Sequence, residues 1–413
     1  MAVFLVSYRH MTLSTTAGKN WFGRTALKGS LAIWLAIGAA TLTACAYLLG
    51  SAEAASSCFV YVGTYTTAQS KGIYMFKFDP ASGESSAPVL AAEARNASFL
   101  ALSPNGRFLY AVNETDRFDG QPGGAVTAYA VDSRTGSLTL LNRVGTRGAG
   151  PCHLAVNPSG KCLVAANYGG GSVAAFPVRS DGTLGEARSF IQHKGKSVNP
   201  RRQEGPHAHG VTFDSDGRFV FVPDLGLDQI VIYRVNAAEG SIVPHDPPFV
   251  AVAPGSGPRH FVFHPKARLA YAVNELANTV GVFKYDNAQG VLRHRQTVST
   301  LPDGYAGDNT TAEIEVDPQG RFVIASNRGH DSLAVFAVGG DGTLSLRGHT
   351  STQGKTPRNF AFDPSGRWIW VANQNSNSLV LFRFAPETGT LELAGRTINI
   401  GAPVCVKYML SKD

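Results

Sequence analysis

The sequence predicts an all-β chain folded as a seven-bladed β-propeller, its ring closed by N- and C-terminal strands in one blade. Three observations lead there: one strand-turn-strand motif recurs six times, further strands follow most copies, and the two chain ends carry the strands of one more copy.

The copies are SFLALSPNGRFLYAVNE (98–114), CHLAVNPSGKCLVAANY (152–168), HGVTFDSDGRFVFVPDL (209–225), RHFVFHPKARLAYAVNE (259–275), AEIEVDPQGRFVIASNR (312–328) and RNFAFDPSGRWIWVANQ (358–374). Their turn glycines, at 106, 160, 217, 320 and 366 with Ala267 standing in the fourth copy, are 54, 57, 50, 53 and 46 residues apart. Each copy reads as a hairpin of two apolar strands around a Pro-x-Gly-type turn. A third strand follows in GSVAAFPV (171–178), DQIVIYRV (228–235), NTVGVFKY (278–285), DSLAVFAV (331–338) and NSLVLFRF (377–384), and a DGTL or TGTL turn opens a fourth. Four strands in some 50 residues is the size of a propeller blade. At the ends, PVCVKYML (403–410) fits a first strand, while CFVYVGTY (58–65) and GIYMFKFD (72–79) fit a second and third. A seventh blade built from both ends removes the open sheet edge. WD-type repeats are excluded by the longer spacing and the lack of recurring Gly-His or Trp-Asp pairs.

Composition agrees with a turn-rich globular protein able to bury a sizeable core: 413 residues, 45 Gly, 22 Pro, 44% hydrophobic and 16% charged. The net charge of +7 falls to +4 once residues 1–54, with Arg9, Lys19, Arg24 and Lys28 against Glu53, are set aside. That is too mild for a nucleic-acid partner, and no basic run is interleaved with aromatics. Two domains are expected: a leader at 1–54 and the propeller at 55–413. After Lys19, Arg24 and Lys28 comes the apolar stretch LAIWLAIGAATLTACAYLLG (31–50), followed by Ala52-Glu53-Ala54, which resembles a signal-peptidase site. Export to the periplasm is expected. The stretch also has the length of a membrane span, roughly 20 residues, so an uncleaved anchor holding the propeller outside the cytoplasm is the alternative. Lipidation at Cys45 of LTAC is a third, against which stands the apolar run continuing past it.

Register turns the scaffold into a site. Centred on each turn, residue 98 faces 113, 152 faces 167, 209 faces 224, 259 faces 274, 312 faces 327 and 358 faces 373, because antiparallel partners sum to a constant. One rim therefore gathers the strand starts Ser98, Cys152, His153, His209, Arg259, His260, Glu313, Arg358 and Asn359. It also gathers the strand ends Asn113, Glu114, Asn167, Tyr168, Asp224, Asn274, Glu275, Asn327, Arg328, Asn373 and Gln374. A polar ring of both signs at a channel mouth is a pocket candidate. The Asn or Asp slot recurs in all six copies, as a loop-tying cap would. His209, Arg259, Glu275 and Arg328 differ between copies and point to function, against the plainer reading of structural ion pairs. His207-x-His209 lacks a third and fourth ligand of suitable spacing, so no metal is expected. Gly169–Gly171 lacks the Lys-Ser/Thr of a phosphate loop. The same register puts Cys58 opposite Leu410 and Cys405 opposite Gly63, too far apart to bridge, so free thiols are expected.

YVGTYT (61–66), ANYGGGSV (166–173), PHAHGV (206–211), PDLGLDQ (223–229), GPRHFVFHP (257–265), YAVNE (271–275), AEI (312–314) and SNRGHDS (326–332) together resemble the seven-bladed lactonase family, over essentially all of 58–410. That family holds bacterial 6-phosphogluconolactonases and fungal 3-carboxy-cis,cis-muconate lactonizing enzymes. The resemblance implies a pocket quartet of His209, Arg259, Glu275 and Arg328. Relatives often read A-E-I-H where this chain reads A-E-I-E, so Glu315 stands at a His position and polarity near Glu313 is altered. Opening a lactone with water needs a base and cations for the oxyanion. Glu275 is the first choice of base, helped or replaced by His209, with Arg259 and Arg328 binding the oxyanion or a phosphate or carboxylate. His153, His207 and Glu313 would line the pocket, with Asn167, Asp224, His260 and Asn274 from the same rim as further substrate contacts. No metal or cofactor is required. A 6-phosphogluconolactonase belongs in the cytoplasm, whereas the leader points to an unphosphorylated aldonolactone outside it. Muconate-type lactonization and a non-catalytic ligand- or protein-binding propeller are the alternatives. Ring closure within one chain lets a monomer suffice.

Overall fold

The computed structural model describes residues 57–411; the leader at 1–54 lies outside them. Among the described residues the only helix is the 3-10 turn Gln374–Ser376. The other regular structure among them is antiparallel sheet: seven blades and one short hairpin, Arg117–Phe118 with Gln121–Pro122.

Blade 4 shows the plan: Pro258–Phe263, Leu269–Asn274, Thr279–Asp286 and Val291–Ser299 pair in sequence order. Blades 1, 2, 3, 5 and 6 repeat it over 100–145, 151–192, 212–251, 310–351 and 357–399. The first strand of each blade neighbours the first strand of the next, so these strands form the inner wall of the ring. Blade 7 is assembled from both ends: Pro403–Leu410 pairs with Cys58–Thr64, which pairs with Gly72–Asp79, and Val89–Glu93 closes the outside. Cys58 faces Leu410 and Gly63 faces Cys405, the register the sequence requires. Cys58, Cys152, Cys162 and Cys405 are free and buried.

The core lies between blades. Each blade buries one sheet face against its neighbour, so the apolar clusters pair blades 2 and 3, 3 and 4, 4 and 5, 5 and 6, and 6 and 7, while the largest joins blades 7, 1 and 2. Trp370 is fully buried and meets Phe76 of blade 7 edge-on at 5.3 Å. Burying such a side chain contributes about 3 kcal/mol, so the interfaces hold the ring.

Turn chemistry sets the hairpins. Gly106, Gly160, Gly217, Gly320 and Gly366 have φ between +67° and +76°, a region that suits glycine. In blade 4, Ala267 avoids it, and the His264 ring accepts from the amides of Lys266 and Ala267 instead.

At the site rim the register departs from expectation. Pairing is as expected through each hairpin body (His153 with Ala166, His260 with Val273, Asn359 with Ala372), then slips by one. Pro151 faces Asn167, Pro258 faces Asn274, Pro357 faces Asn373 and Thr311 faces Asn327. Cys152, Arg259, Arg358 and the pair Ala312 and Glu313 are left as bulges. Three of the four start at proline, which has no N–H for a ladder. A bulge re-aims side chains, and here it lets the consecutive residues Arg259 and His260 both reach blade 5.

Candidate active site

The centre of the rim is one carboxylate and three guanidiniums. Glu275, buried just past the second strand of blade 4, accepts Arg259 Nε and Arg328 Nη2 at Oε2, both at 2.9 Å, and Arg202 Nη2 at Oε1, at 2.7 Å. Burial alone would raise its pKa; Arg328, Arg259 and Arg202 overcome that and hold it at about 2. Burial lowers Arg328 to about 9 despite Glu275, with Arg259 and Arg358 adding repulsion. Arg328 Nη2 also donates to Thr311 O at 2.8 Å, while its buried Nε has no partner among the described residues.

Arg259 reaches further in. Its Nη1 donates to Ala312 O at 2.8 Å and to His260 Nε2 at 3.2 Å. Since arginine only donates, His260 Nε2 is the acceptor and Nδ1–H donates to Glu313 Oε1, at 2.8 Å. The Glu313 carboxylate is held on its other oxygen by Asn359. Burial lowers the His260 pKa, and Glu313 only partly offsets it.

His209 lies beside this layer, its ring 5.3 Å from those of His260 and Tyr168. The Cys152 sulfur is 3.7 Å from Nδ1, and among the described residues Nε2 has no hydrogen-bond partner. Burial, then Arg259, His260 and Arg358, push its pKa well below the usual imidazole range, so the ring is neutral at pH 7. His207 stacks on Tyr168 at 4.6 Å, with Nδ1 3.0 Å from the Tyr168 carbonyl. The four residues of the expected quartet are thus brought to one cluster, with His207 and His260 at its edges.

Other expectations fail for identifiable reasons. Asp224 is fully buried, accepting from the amides of His207, Gly226 and Leu227 and from His193 Nδ1 at 2.6 Å. Asn167 donates to Ser172, and Asn274 to Thr279, inside their own blades. All three are caps, not substrate contacts. His153 stacks on Phe99 at 3.8 Å and accepts from the Val211 amide; with Glu313 it belongs to the floor. Below that floor is a channel cavity of about 490 Å³, which does not reach Glu275. Glu315 lines this cavity, and burial with the Glu313 charge raises its pKa to about 7.

Sequence reasoning missed Arg202, which sits on the loop between blades 2 and 3, where hairpin register is silent. Its loop is pinned: buried Gln203 donates to Leu225 O, and Ser197 donates to Asp228. Arg202 also donates to the Tyr168 hydroxyl, at 3.1 Å, and roofs the site. Register placed Arg358 and Glu114 on the rim but not in a second cluster, in which Arg358 donates to the Tyr65 hydroxyl at 3.0 Å and Tyr65 donates to Glu114 at 3.0 Å. Its signal was present, since Pro357-Arg358 repeats Pro258-Arg259, and Asn113-Glu114 repeats Asn274-Glu275.

Fold and site define a seven-bladed propeller with a cationic cluster beside a neutral histidine at the mouth of its ring. Residues 59–408 match the family described as Lactonase, 7-bladed beta-propeller, and the chain belongs to that family. It is 39% identical over 350 residues to a 6-phosphogluconolactonase of Bacillus subtilis, covering 84% of this chain and 97% of the relative. A 6-phosphogluconolactonase of Formosa agariphila is 37% identical over 339 residues, 81% of this chain and 94% of the relative. Among solved structures, a periplasmic gluconolactonase of Pseudomonas aeruginosa superposes with a TM-score of 0.81 at 36% identity, covering 86% of this chain and all of that one.

Proposed function

We propose that the protein hydrolyses a sugar lactone bearing an anionic group, as 6-phosphogluconolactone does, with His209 as the base and the Glu275-bound arginines as the anion-binding face. One observation carries this reading: three guanidiniums on one carboxylate leave a net charge of +2 beside a neutral imidazole with a free nitrogen. The names of the Bacillus and Formosa relatives support the substrate class.

The arrangement favours His209 over Glu275 as base. A carboxylate held at about 2 by three cations accepts a proton poorly, whereas neutral His209 presents Nε2. His209 takes a proton from water as the oxygen adds to the lactone carbonyl. The tetrahedral oxyanion collapses, the ring C–O bond breaks, and the imidazolium returns the proton to the departing ring oxygen. Positioned general acid–base catalysis of this kind contributes roughly 10²–10⁴-fold. Glu275 anchors Arg259, Arg328 and Arg202. Arg259, the deepest, faces the reacting carbonyl, while Arg328 and the half-exposed Arg202 take the anionic substituent. Substrate charge also counters the repulsion from Arg259 and Arg358 and so strengthens His209 as a base.

Proton release by the purified protein on glucono-1,5-lactone and its 6-phosphate tests the reading, alongside Arg202→Gln. The phosphate ester is expected to give the higher kcat/KM, and Arg202→Gln to raise its KM roughly 10–100-fold, the worth of a charge-assisted hydrogen bond. Failure to open either lactone faster than buffer sinks the proposal. A second reading, an exported enzyme acting on unphosphorylated gluconolactone, draws support from the apolar stretch at 31–50 and from the similarity to the periplasmic gluconolactonase. Equal kcat/KM on both lactones would favour it.

A further inference from the structure

Four arginines meet at the rim, and they differ in how many N–H groups are already engaged. A guanidinium has five. Arg259 uses three, Nε on Glu275 and Nη1 on both Ala312 and His260. Arg328 and Arg202 are each fastened to Glu275 as well. Arg358 alone of the four has no carboxylate within salt-bridge distance among the described residues; its one hydrogen bond is Nη2 to the Tyr65 hydroxyl. Most of its donors are uncommitted.

Its place is nonetheless fixed. The guanidinium also lies over the Tyr65 ring, 5.3 Å from the centroid. The Tyr65 hydroxyl proton is held by both oxygens of Glu114, at 3.0 and 3.1 Å, and the Ser98 hydroxyl donates to the same carboxylate. Tyr65 therefore presents a lone pair, not a proton, to Arg358. Glu114 is tied at its backbone, with its carbonyl accepting from Asn96 Nδ2 and its amide donating to Asn96 O. Ser98 and Glu114 of blade 1 thus orient Tyr65 of blade 7, and Tyr65 orients Arg358 of blade 6. Asn359, the next residue, donates to the Glu313 carboxylate that holds His260, so Arg358 stands on the same rim as the Glu275 cluster.

We propose that Arg358 is a catalytic residue that donates to the oxyanion of the opening lactone, with Tyr65 and Glu114 as its positioning residues. This rests on the lactonase reading above. A pre-oriented cation with spare N–H groups is what a developing oxyanion requires, because no reorganisation is then needed as charge appears. Arg259 serves the carbonyl with what it has left; Arg358 supplies the larger free donor set.

The test is steady-state kinetics of Arg358→Ala, Arg358→Lys and Tyr65→Phe on the better of the two lactones, with product binding by calorimetry and a thermal melt as fold controls. Arg358→Ala is expected to lower kcat roughly 10²–10³-fold, the usual cost of one oxyanion donor, with KM and product affinity changed less than about threefold. Added guanidinium ion should restore part of the Arg358→Ala rate and none of the rate of His209→Asn, a response that a merely structural role would not give. Tyr65→Phe should cost about tenfold in kcat. A KM effect with kcat intact makes Arg358 a binding group and overturns the proposal, as does a kcat within threefold of wild type or a loss without guanidinium rescue. If the Ala variant does not fold, Arg358→Lys and Tyr65→Phe decide by the same kcat criterion. If the wild type opens no lactone, the lactonase reading fails and this inference with it; if only the Arg358 variants behave as wild type, the inference fails alone.

Discussion

Glu275 and Glu114 hold the same place in two blades, each following the Asn that ends a second strand, yet their surroundings are opposite. Glu275 is gripped by three guanidiniums, while Glu114 accepts from the hydroxyls of Tyr65 and Ser98 and, among the described residues, meets no arginine directly. The repeat supplies the position and the neighbouring blades supply the chemistry. Around Glu275 the carboxylate gathers charge. Around Glu114 it sets the direction of hydroxyl groups, and through them of one arginine.

The contrast is sharpest on deletion. Glu275→Gln leaves buried cations without their counter-ion, so we expect a stability loss of about 3–5 kcal/mol and activity below detection, read by denaturant melts and proton release. His209→Asn, which leaves that cluster intact, should keep the melt near wild type while lowering kcat roughly 10²–10⁴-fold. A large melt shift for His209→Asn and a small one for Glu275→Gln would reverse the roles given to the two residues.

Acid tests the Glu275 cluster next. The Glu275 pKa is about 2 in the fold against an ordinary 4.5, so the unfolded chain binds its proton more tightly. The resulting stabilisation, on the order of 3 kcal/mol, is fully present above the unfolded value and is lost as pH falls from 4.5 through 2. Stability measured by denaturant from pH 6 to 2 should carry this slope in wild type and lose it in Glu275→Gln. The buried His209 titrates in the same sense, neutral in the fold where the unfolded ring is protonated. The acid limb of kcat/KM is therefore expected below the usual imidazole value of about 6.5, and an inflection at or above that value would remove His209 as the base. The smallest effect belongs to the caps: Asn274→Ala should cost about 1 kcal/mol and leave KM within twofold.

How much of this was legible in the sequence follows from what a repeat can encode. Strand order, blade number, the closing blade and the pairing of Cys58 with Leu410 all follow from strands and turns that recur, because antiparallel register is a local rule. His209, Arg259, Glu275 and Arg328 stand out because the residue types at these rim positions vary from blade to blade. The bulges escaped notice, though Pro151, Pro258 and Pro357 mark them, because register arithmetic assumes an unbroken ladder. Asn167, Asp224 and Asn274, expected among the substrate contacts, act as the caps their recurrence indicates; position along a strand does not say which way a side chain bonds. Arg202 was invisible for a different reason: it belongs to an irregular loop that crosses to another blade, and only tertiary contacts bring it to Glu275.

The closing blade has a consequence in time. Tyr65 directly follows the strand Cys58–Thr64, and that strand completes its pairing only with Pro403–Leu410. Residues from opposite ends of the chain, Tyr65 and Arg358, then meet at the mouth. A nascent chain carries His209, Arg259, Glu275 and Arg328 long before it can close, but Tyr65 is fixed only when the last strand arrives. An unfinished chain would therefore lack the Tyr65–Arg358 contact however complete the rest of the rim, and the last strand made is the one that sets it.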